Sequence, residues 1–312
     1  MDDRLASHLK LSAVPHEDFV RETYRLVLRR SPEPEVAAEL VRGLAAGLLS
    51  RAALLRDLVL SPEAERVRAL DDGVALAAAA RAAGERPAGL TAPPGSDERL
   101  IEIPWVLARY RGERRVLDVG YANAEPAYLG ALLAAAPAAP TGVDLAEAEV
   151  PGLERVVADV RKLPFAARSF DVVLCVSTLE HVGSDNRVYG LAEAYDGAGI
   201  PAALSELKRV LRRRGRLLVT VPTGESEDRA WFIQREPRSW RDLFIQAGFA
   251  VFEQELYELR EEGWRSVETL TPGLRYGERG PAASAVLCAE LRPGRLRHAV
   301  RSRARTLLRR TD

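Results

Sequence analysis

Four acidic residues and a histidine stand at or just past the ends of short apolar runs between Arg115 and Gly183. Asp118 closes RRVLD and leads into Val119-Gly120, Asp144 closes TGVD, Asp159 sits in VVADV, and Glu180-His181 follow SFDVVLCVSTL. In a parallel α/β sheet the carboxyl ends of the strands present polar groups to one ligand crevice, which suits a nucleoside-bearing ligand. The strand ending in Leu-Asp-Val-Gly turns directly toward a helix, so backbone N–H groups gather at that helix N-terminus. Asp144 stands about 20 residues beyond this loop, where an acidic residue of a nucleotide-binding fold accepts the ribose hydroxyls; the other reading is a helix N-cap. Asp159 reads as a ligand contact, with a surface-turn carboxylate as the lesser alternative. His181 is a natural general base, because an unperturbed imidazole titrates near pH 6.5.

These groups need a scaffold, and from Arg115 strand and helix signals alternate. Strands are expected at 115–119, 139–143, 154–158, 171–176, 216–221, 249–255 and 284–291. The segment PAALSELKRVLRRRG carries Leu204, Leu207, Val210 and Leu211 on one helical face and is expected to end at Gly215. Alternation of this kind implies a parallel sheet covered on both faces. Only irregular sequence, TLTPGLRYGERG, separates the last two strands, which suits an antiparallel final hairpin. Upstream, Ser96 is expected to cap a helix bearing Leu100, Ile101, Trp105 and Val106, kinked or broken at Pro104.

The order LDVG, TGVDL, ADV-RKLPF, SFDVV and STLEH resembles the class I S-adenosylmethionine-dependent methyltransferases over residues 96–292. The resemblance implies a Rossmann-like α/β fold with a seven-stranded sheet, mostly parallel with an antiparallel last strand, and S-adenosyl-L-methionine as cofactor. It places Asp118, Gly120 and Tyr121 at the amino-acid end of the cofactor, Asp144 and Leu145 at the ribose, and Asp159 with Val160 at the adenine. Ser177 falls on the cofactor side as well. The loop GYANAE departs from the family pattern, with Ala122 and Ala124 where glycines are usual, and a Cβ there narrows the room. Ubiquinone-pathway relatives carry a Glu-x-x-Glu-His arrangement that can hold a divalent metal; Ser177 replaces the first Glu, so no metal is expected. His181 is the catalytic candidate for a hydroxyl acceptor, against the alternative that it only shapes the pocket.

Between His181 and Pro201 lies GSDNRVYGLAEAYDGAGI, too polar and glycine-rich for core. Asp185, Asn186, Arg187 and Tyr189, with Glu180, can hydrogen-bond a polyhydroxylated acceptor, or the loop groups are simply solvated. The D-N-x-x-Y insertion followed by LxELxRVL and LLVTVPTG is similar to enzymes from surface-polysaccharide gene neighbourhoods. Trp231 and Phe232 either wall the acceptor or belong to the core.

Residues 1–70 read as a small helical domain. Val20, Tyr24, Val27 and Leu28 share one helical face, Val36, Leu40, Val41 and Leu44 a second, and Ser50 caps a third helix with Leu54, Leu55, Leu58 and Val59. A short fourth helix opens at Ser61-Pro62-Glu63. This series is similar to a bacterial helical domain related to phycobilisome linker modules, which implies a protein partner. Residues 71–95 read as a linker with an alanine-rich helix, Val74 to Ala83, and a Pro/Gly-rich end.

The 312 residues carry no net charge, so the whole chain is not a polyanion binder. The tail 293–312 is nevertheless strongly basic, and either lies on an anionic membrane surface or is a frayed terminus; without aromatic platforms nucleic acid is not expected. Cys175 and Cys288 lie apart in apolar runs, and read as reduced core residues. With no signal-peptide core and no run of membrane-spanning length, the expected location is the cytoplasm, at the inner membrane face if the tail binds lipid. The resulting expectation is an S-adenosylmethionine-dependent methyltransferase that O-methylates a hydroxyl of a sugar or surface-glycan precursor. Two alternatives share the site: a small-metabolite or natural-product methyltransferase, and a catalytically silent cofactor-binding scaffold.

Overall fold

The computed structural model describes residues 14–185, 187 and 196–294. Asn186, Tyr189 and the basic tail from Arg295 onward lie outside the described residues. The chain divides into two compact units, Met1–Asp72 and Gly73–Asp312.

The first unit contains helices α1 (His16–Leu28), α2 (Pro34–Ala45) and α3 (Arg51–Val59), and α4 (Pro62–Ala83) begins in it. Phe19, Val20, Tyr24, Leu28, Leu44 and Leu54 meet in its core. The Ser50 hydroxyl accepts from Ala53 N at 3.1 Å, the expected cap, and Ser61 caps α4 in the same way through Ala64 N. Two details differ from expectation. Val36 is 38% exposed rather than core. The short fourth helix and the alanine-rich helix are one 22-residue element that runs through Asp71-Asp72-Gly73, with no Pro within 63–83 to break it.

The second unit is built on an eight-stranded sheet. Its strands are β1 (Val116–Val119), β2 (Thr141–Asp144), β3 (Glu154–Val157), β4 (Phe170–Val176), β5 (Leu211–Pro222), β8 (Phe249–Arg260), β9 (Gly263–Val267) and β10 (Ala285–Pro293). Their order is β3-β2-β1-β4-β5-β10-β8-β9. The first five are mutually parallel, and β10 inserts antiparallel to both β5 and β8. This is the Rossmann-like, mostly parallel sheet with an antiparallel final strand. Helices α5 (Arg99–Arg109), α6 (Pro126–Ala135), α7 (Gly199–Val210) and α8 (Pro237–Gln246) cover it. Leu204, Leu207 and Val210 of α7 are fully buried with Val173, Leu217 and Val219 of the sheet. Cys175 and Cys288 are free and buried in β4 and β10, with β5 between those strands.

The seven expected strands are all present, and three more appear. A hairpin of β6 (Glu227–Arg229) and β7 (Phe232–Gln234) stands apart from the main sheet, and β9 pairs with β8 at its edge. The α7 helix stops at Val210 rather than Gly215, because Leu211 already pairs with Phe170 and buries its side chain in the sheet. Ser96 does not cap α5; its hydroxyl donates to Pro93 O at 2.6 Å. The α5 helix also continues through Pro104, whose ring fills the space that a side chain at Gly73 would need.

Candidate active site

A hollow of about 230 Å3 opens at the carboxyl ends of β1 to β4. Asp118, Gly120, Asp144, Leu145, Asp159, Val160, Ser177 and His181 all line it. Because the strand order is β3-β2-β1-β4, Asp159, Asp144, Asp118 and Ser177 follow one another across the sheet edge. Neighbouring strands lie about 4.8 Å apart, so these groups form a row rather than a point cluster.

The loop after β1 shows how the alanines are accommodated. Gly120 has φ +88°, and a Cβ there would lie 2.3 Å from Thr178 Oγ1. Ala122 and Ala124 are not among the residues with positive φ, so neither needs to be glycine. Ala122 N donates to Asp144 Oδ2 and Ala146 N to Asp144 Oδ1, both at 3.0 Å. Asp144 thus ties the β1 loop to the β2 loop while its carboxylate remains at the hollow. Tyr121 departs from expectation. It is 1% exposed, does not line the hollow, and turns under β2 against Gly142.

Asp118 is 2% exposed; its Oδ1 accepts from the Tyr128 hydroxyl, and its Oδ2 is buried with no partner. Burial, opposed by the Tyr128 bond and reinforced by the charge of Asp144, pushes the Asp118 carboxyl up to about 7. A carboxylate in this state is completed by a cationic hydrogen-bond donor. Asp159 differs. Burial raises its pKa, but hydrogen bonds from Arg161 outweigh burial and hold it below the usual carboxylate range. Arg161 Nε reaches the two carboxylate oxygens at 3.0 and 2.8 Å, and its Nη1 reaches Asp196 at 3.3 Å. A ligand amine at Asp159 therefore shares the carboxylate with Arg161.

The β4 end of the hollow is built partly by elements outside the β1–β5 segment. Glu102 of α5 is fully buried and accepts the Ser177 hydroxyl with its two oxygens, at 2.7 and 2.8 Å. Ser177 itself has φ +41°, a left-handed conformation uncommon outside glycine. Its backbone N donates to Thr220 Oγ1 at 3.1 Å. The Ser177 hydroxyl is thus engaged within the protein, although the residue borders the hollow. Arg99, which the sequence reading missed, also lines the hollow, and its Nη1 donates to Glu102 at 3.1 Å.

His181 Nδ1 lies 2.8 Å from the Trp231 carbonyl oxygen, which can only accept, so Nδ1 carries the hydrogen and Nε2 the lone pair. The Trp231 ring stacks on the imidazole at 5.5 Å with a 20° tilt, and Phe232 and Tyr276 pack behind it. Trp231 therefore backs His181 rather than walling the hollow, which it does not line. Burial, partly offset by the Trp231 bond and reinforced by the charge of Arg99, lowers the imidazole to about 4. Glu180 is 2% exposed and places Oε1 3.9 Å from His181 Nε2, while Oε2 is buried without a partner. Burial and the charge of Glu102 push its carboxyl up to about 8. Glu180 lies behind the lining rather than in it. Asp185 is likewise not in the lining and pairs with Arg187. Among the described residues, no three His, Cys, Asp or Glu side chains are grouped to hold a metal ion.

Residues 117–219 match the family model described as a methyltransferase domain. An uncharacterized protein of Methanocaldococcus jannaschii is 28% identical over 110 residues, which is 34% of this chain and 42% of that protein. The match thus spans about two fifths of that curated relative. Among solved structures, a Burkholderia thailandensis 1,6-didemethyltoxoflavin N1-methyltransferase is 18% identical, covering 91% of this chain and 92% of that one, with a TM-score of 0.41. A Methanosarcina mazei S-adenosylmethionine-dependent methyltransferase is 15% identical, covering 61% and 97%, with a TM-score of 0.42. The domain match covers β1 to β5, the strands whose tips hold Asp118, Asp144, Asp159 and Ser177. It supports a methyltransferase of class I that takes S-adenosyl-L-methionine. The orphaned Asp118 Oδ2, buried beside the hollow, fits the cationic ammonium of that group.

Proposed function

We propose that the chain O-methylates a hydroxyl of a sugar or surface-glycan precursor, with His181 as general base. The observation that carries this reading is the His181–Trp231 bond, which leaves a neutral imidazole with its lone pair on Nε2 at the edge of the hollow. When bound, S-adenosylmethionine supplies a methyl group made electrophilic by its sulfonium. Asp118 would hold the ammonium of its methionyl end, Asp144 the ribose hydroxyls, and Asp159 with Val160 the adenine edge.

The protein's remaining task is to orient a hydroxyl and remove its proton. A hydroxyl needs such a base more than an amine, which attacks as the neutral species. His181 Nε2 receives the proton, and the resulting imidazolium gains from Glu180 Oε1 at 3.9 Å once that carboxyl is ionised. The sugar class rests on the polar segment GSDNRVYGLAEAYDGAGI, residues 183–200, between His181 and Pro201. The helices of 1–70 are proposed as a docking module for a protein partner, and the basic tail as a contact for an anionic membrane surface.

The test is methyl transfer from S-adenosylmethionine to a panel of nucleotide sugars, free sugars, phenols and amines, read by mass spectrometry. A methyl ether on a sugar, lost in His181→Ala, supports the reading. Transfer only to amines, unchanged in that variant, contradicts it.

A further inference from the structure

We infer that Arg99 receives the α-carboxylate of the cofactor's methionyl end. The inference rests on the S-adenosylmethionine reading above and adds a binding residue from outside the matched domain.

The geometry begins with the strand order. If Asp159 and Asp144, past β3 and at β2, serve the adenosyl part, the amino-acid part extends past β1 toward β4. A free amino acid is a zwitterion, so that end of the hollow needs both an anion and a cation. Asp118, with its orphaned Oδ2, is the anion. Among the described residues the lining holds two cations, Arg161 and Arg99. Arg161 lies at the β3 end, held by Asp159 and Asp196. Arg99 lies at the β4 end, joined to Ser177 through Glu102.

Arg99 is also incompletely engaged by the protein. Arg86, Arg109 and Arg216 of the same unit each span two carboxylates: Glu253 and Glu290, Glu253 and Glu255, Glu113 and Glu290. Arg99 makes one hydrogen bond to one carboxylate, although its guanidinium offers five donors in a planar fork. A second carboxylate from the hollow would give it the same two-carboxylate arrangement. The nearby acids Glu98 and Glu180 do not oppose this as full charges, since burial and the charge of Glu102 hold both toward the protonated form. Glu102, fastened to Ser177, fixes the guanidinium at the β4 tip.

The test measures binding by calorimetry of the full chain with two ligands. S-adenosylhomocysteine carries the carboxylate, and its decarboxylated analogue keeps the amine and adenosine but lacks that group. Arg99→Ala is expected to weaken S-adenosylhomocysteine about 10- to 100-fold, as loss of a charge-assisted pair does, and to leave the analogue within about twofold. Wild type should prefer S-adenosylhomocysteine over the analogue by a similar factor. Arg99→Lys, which keeps charge without the fork, should fall between wild type and Arg99→Ala. Equal losses for both ligands, or unchanged S-adenosylhomocysteine affinity in Arg99→Ala, overturns the assignment. Wild type binding neither ligand removes the cofactor reading itself, and the assignment with it.

Discussion

The imidazole of His181 is held by Trp231 twice, through the backbone carbonyl at Nδ1 and through a stacked ring at 5.5 Å. One contact sets the tautomer and the other the ring plane, so the β6–β7 hairpin holds the imidazole in a fixed orientation. Burial favours the neutral form. Nuclear magnetic resonance of ring nitrogens should show His181 protonated on Nδ1 and still neutral at pH 5.5. A midpoint near 6.5 would contradict this environment.

Glu180 links pH to stability. Its folded pKa, about 8, is raised above the ordinary 4.5, so folding is favoured by its protonated form. That contribution is complete below about pH 4.5 and is lost as pH rises through about 8. Glu98 and Asp118, each raised to about 7, act in the same direction. His181, lowered to about 4, works the other way below about pH 6.5, so denaturant unfolding should lose on the order of a few kcal/mol between pH 6.5 and 8.5. Glu180→Gln should retain only part of that slope, and an unchanged slope would place the titration elsewhere.

Asp118 predicts a pH dependence of binding. A carboxyl raised to about 7 must ionise to hold an ammonium, so affinity for S-adenosylhomocysteine should rise as pH climbs from 6 to 8. Asp118→Asn should bind more weakly and with little dependence on pH across that range.

Gly120 and Thr178 touch so closely that a methyl group cannot enter. A Cβ on Gly120 would meet Thr178 Oγ1 at 2.3 Å, in a backbone at φ +88°. Gly120→Ala should cost about 1–3 kcal/mol in unfolding free energy, from left-handed strain and the clash together. Ala122→Gly, at a position without positive φ, should leave stability within about 1 kcal/mol.

Much of this site is legible in the sequence because Asp118, Asp144 and Asp159 each stand at or just past the end of a short apolar run. A parallel sheet then brings such tips together. Tyr121 was less legible: it follows Gly120 in sequence, but a short 3-10 turn at Tyr121–Asn123 carries its ring under β2. Arg99 and Glu102 lie on an amphipathic helix upstream of β1, and only the packing of α5 against β4 brings them to the β4 tip. Trp231 could not be separated from core by type or spacing, because its function depends on where the β6–β7 hairpin folds back. The strand start at Leu211 was hidden by a helical pattern that continues one residue beyond the helix.

The central claim is that the row of groups at the β1–β4 tips is one adenosyl-methionyl site. Calorimetric titration of the wild-type chain and Asp144→Ala with S-adenosylhomocysteine tests it most directly. The structure predicts saturable one-to-one binding that the alanine variant weakens by at least about tenfold while its melting temperature shows a folded protein. No binding by the folded wild type, or equal affinity in the variant, would contradict it.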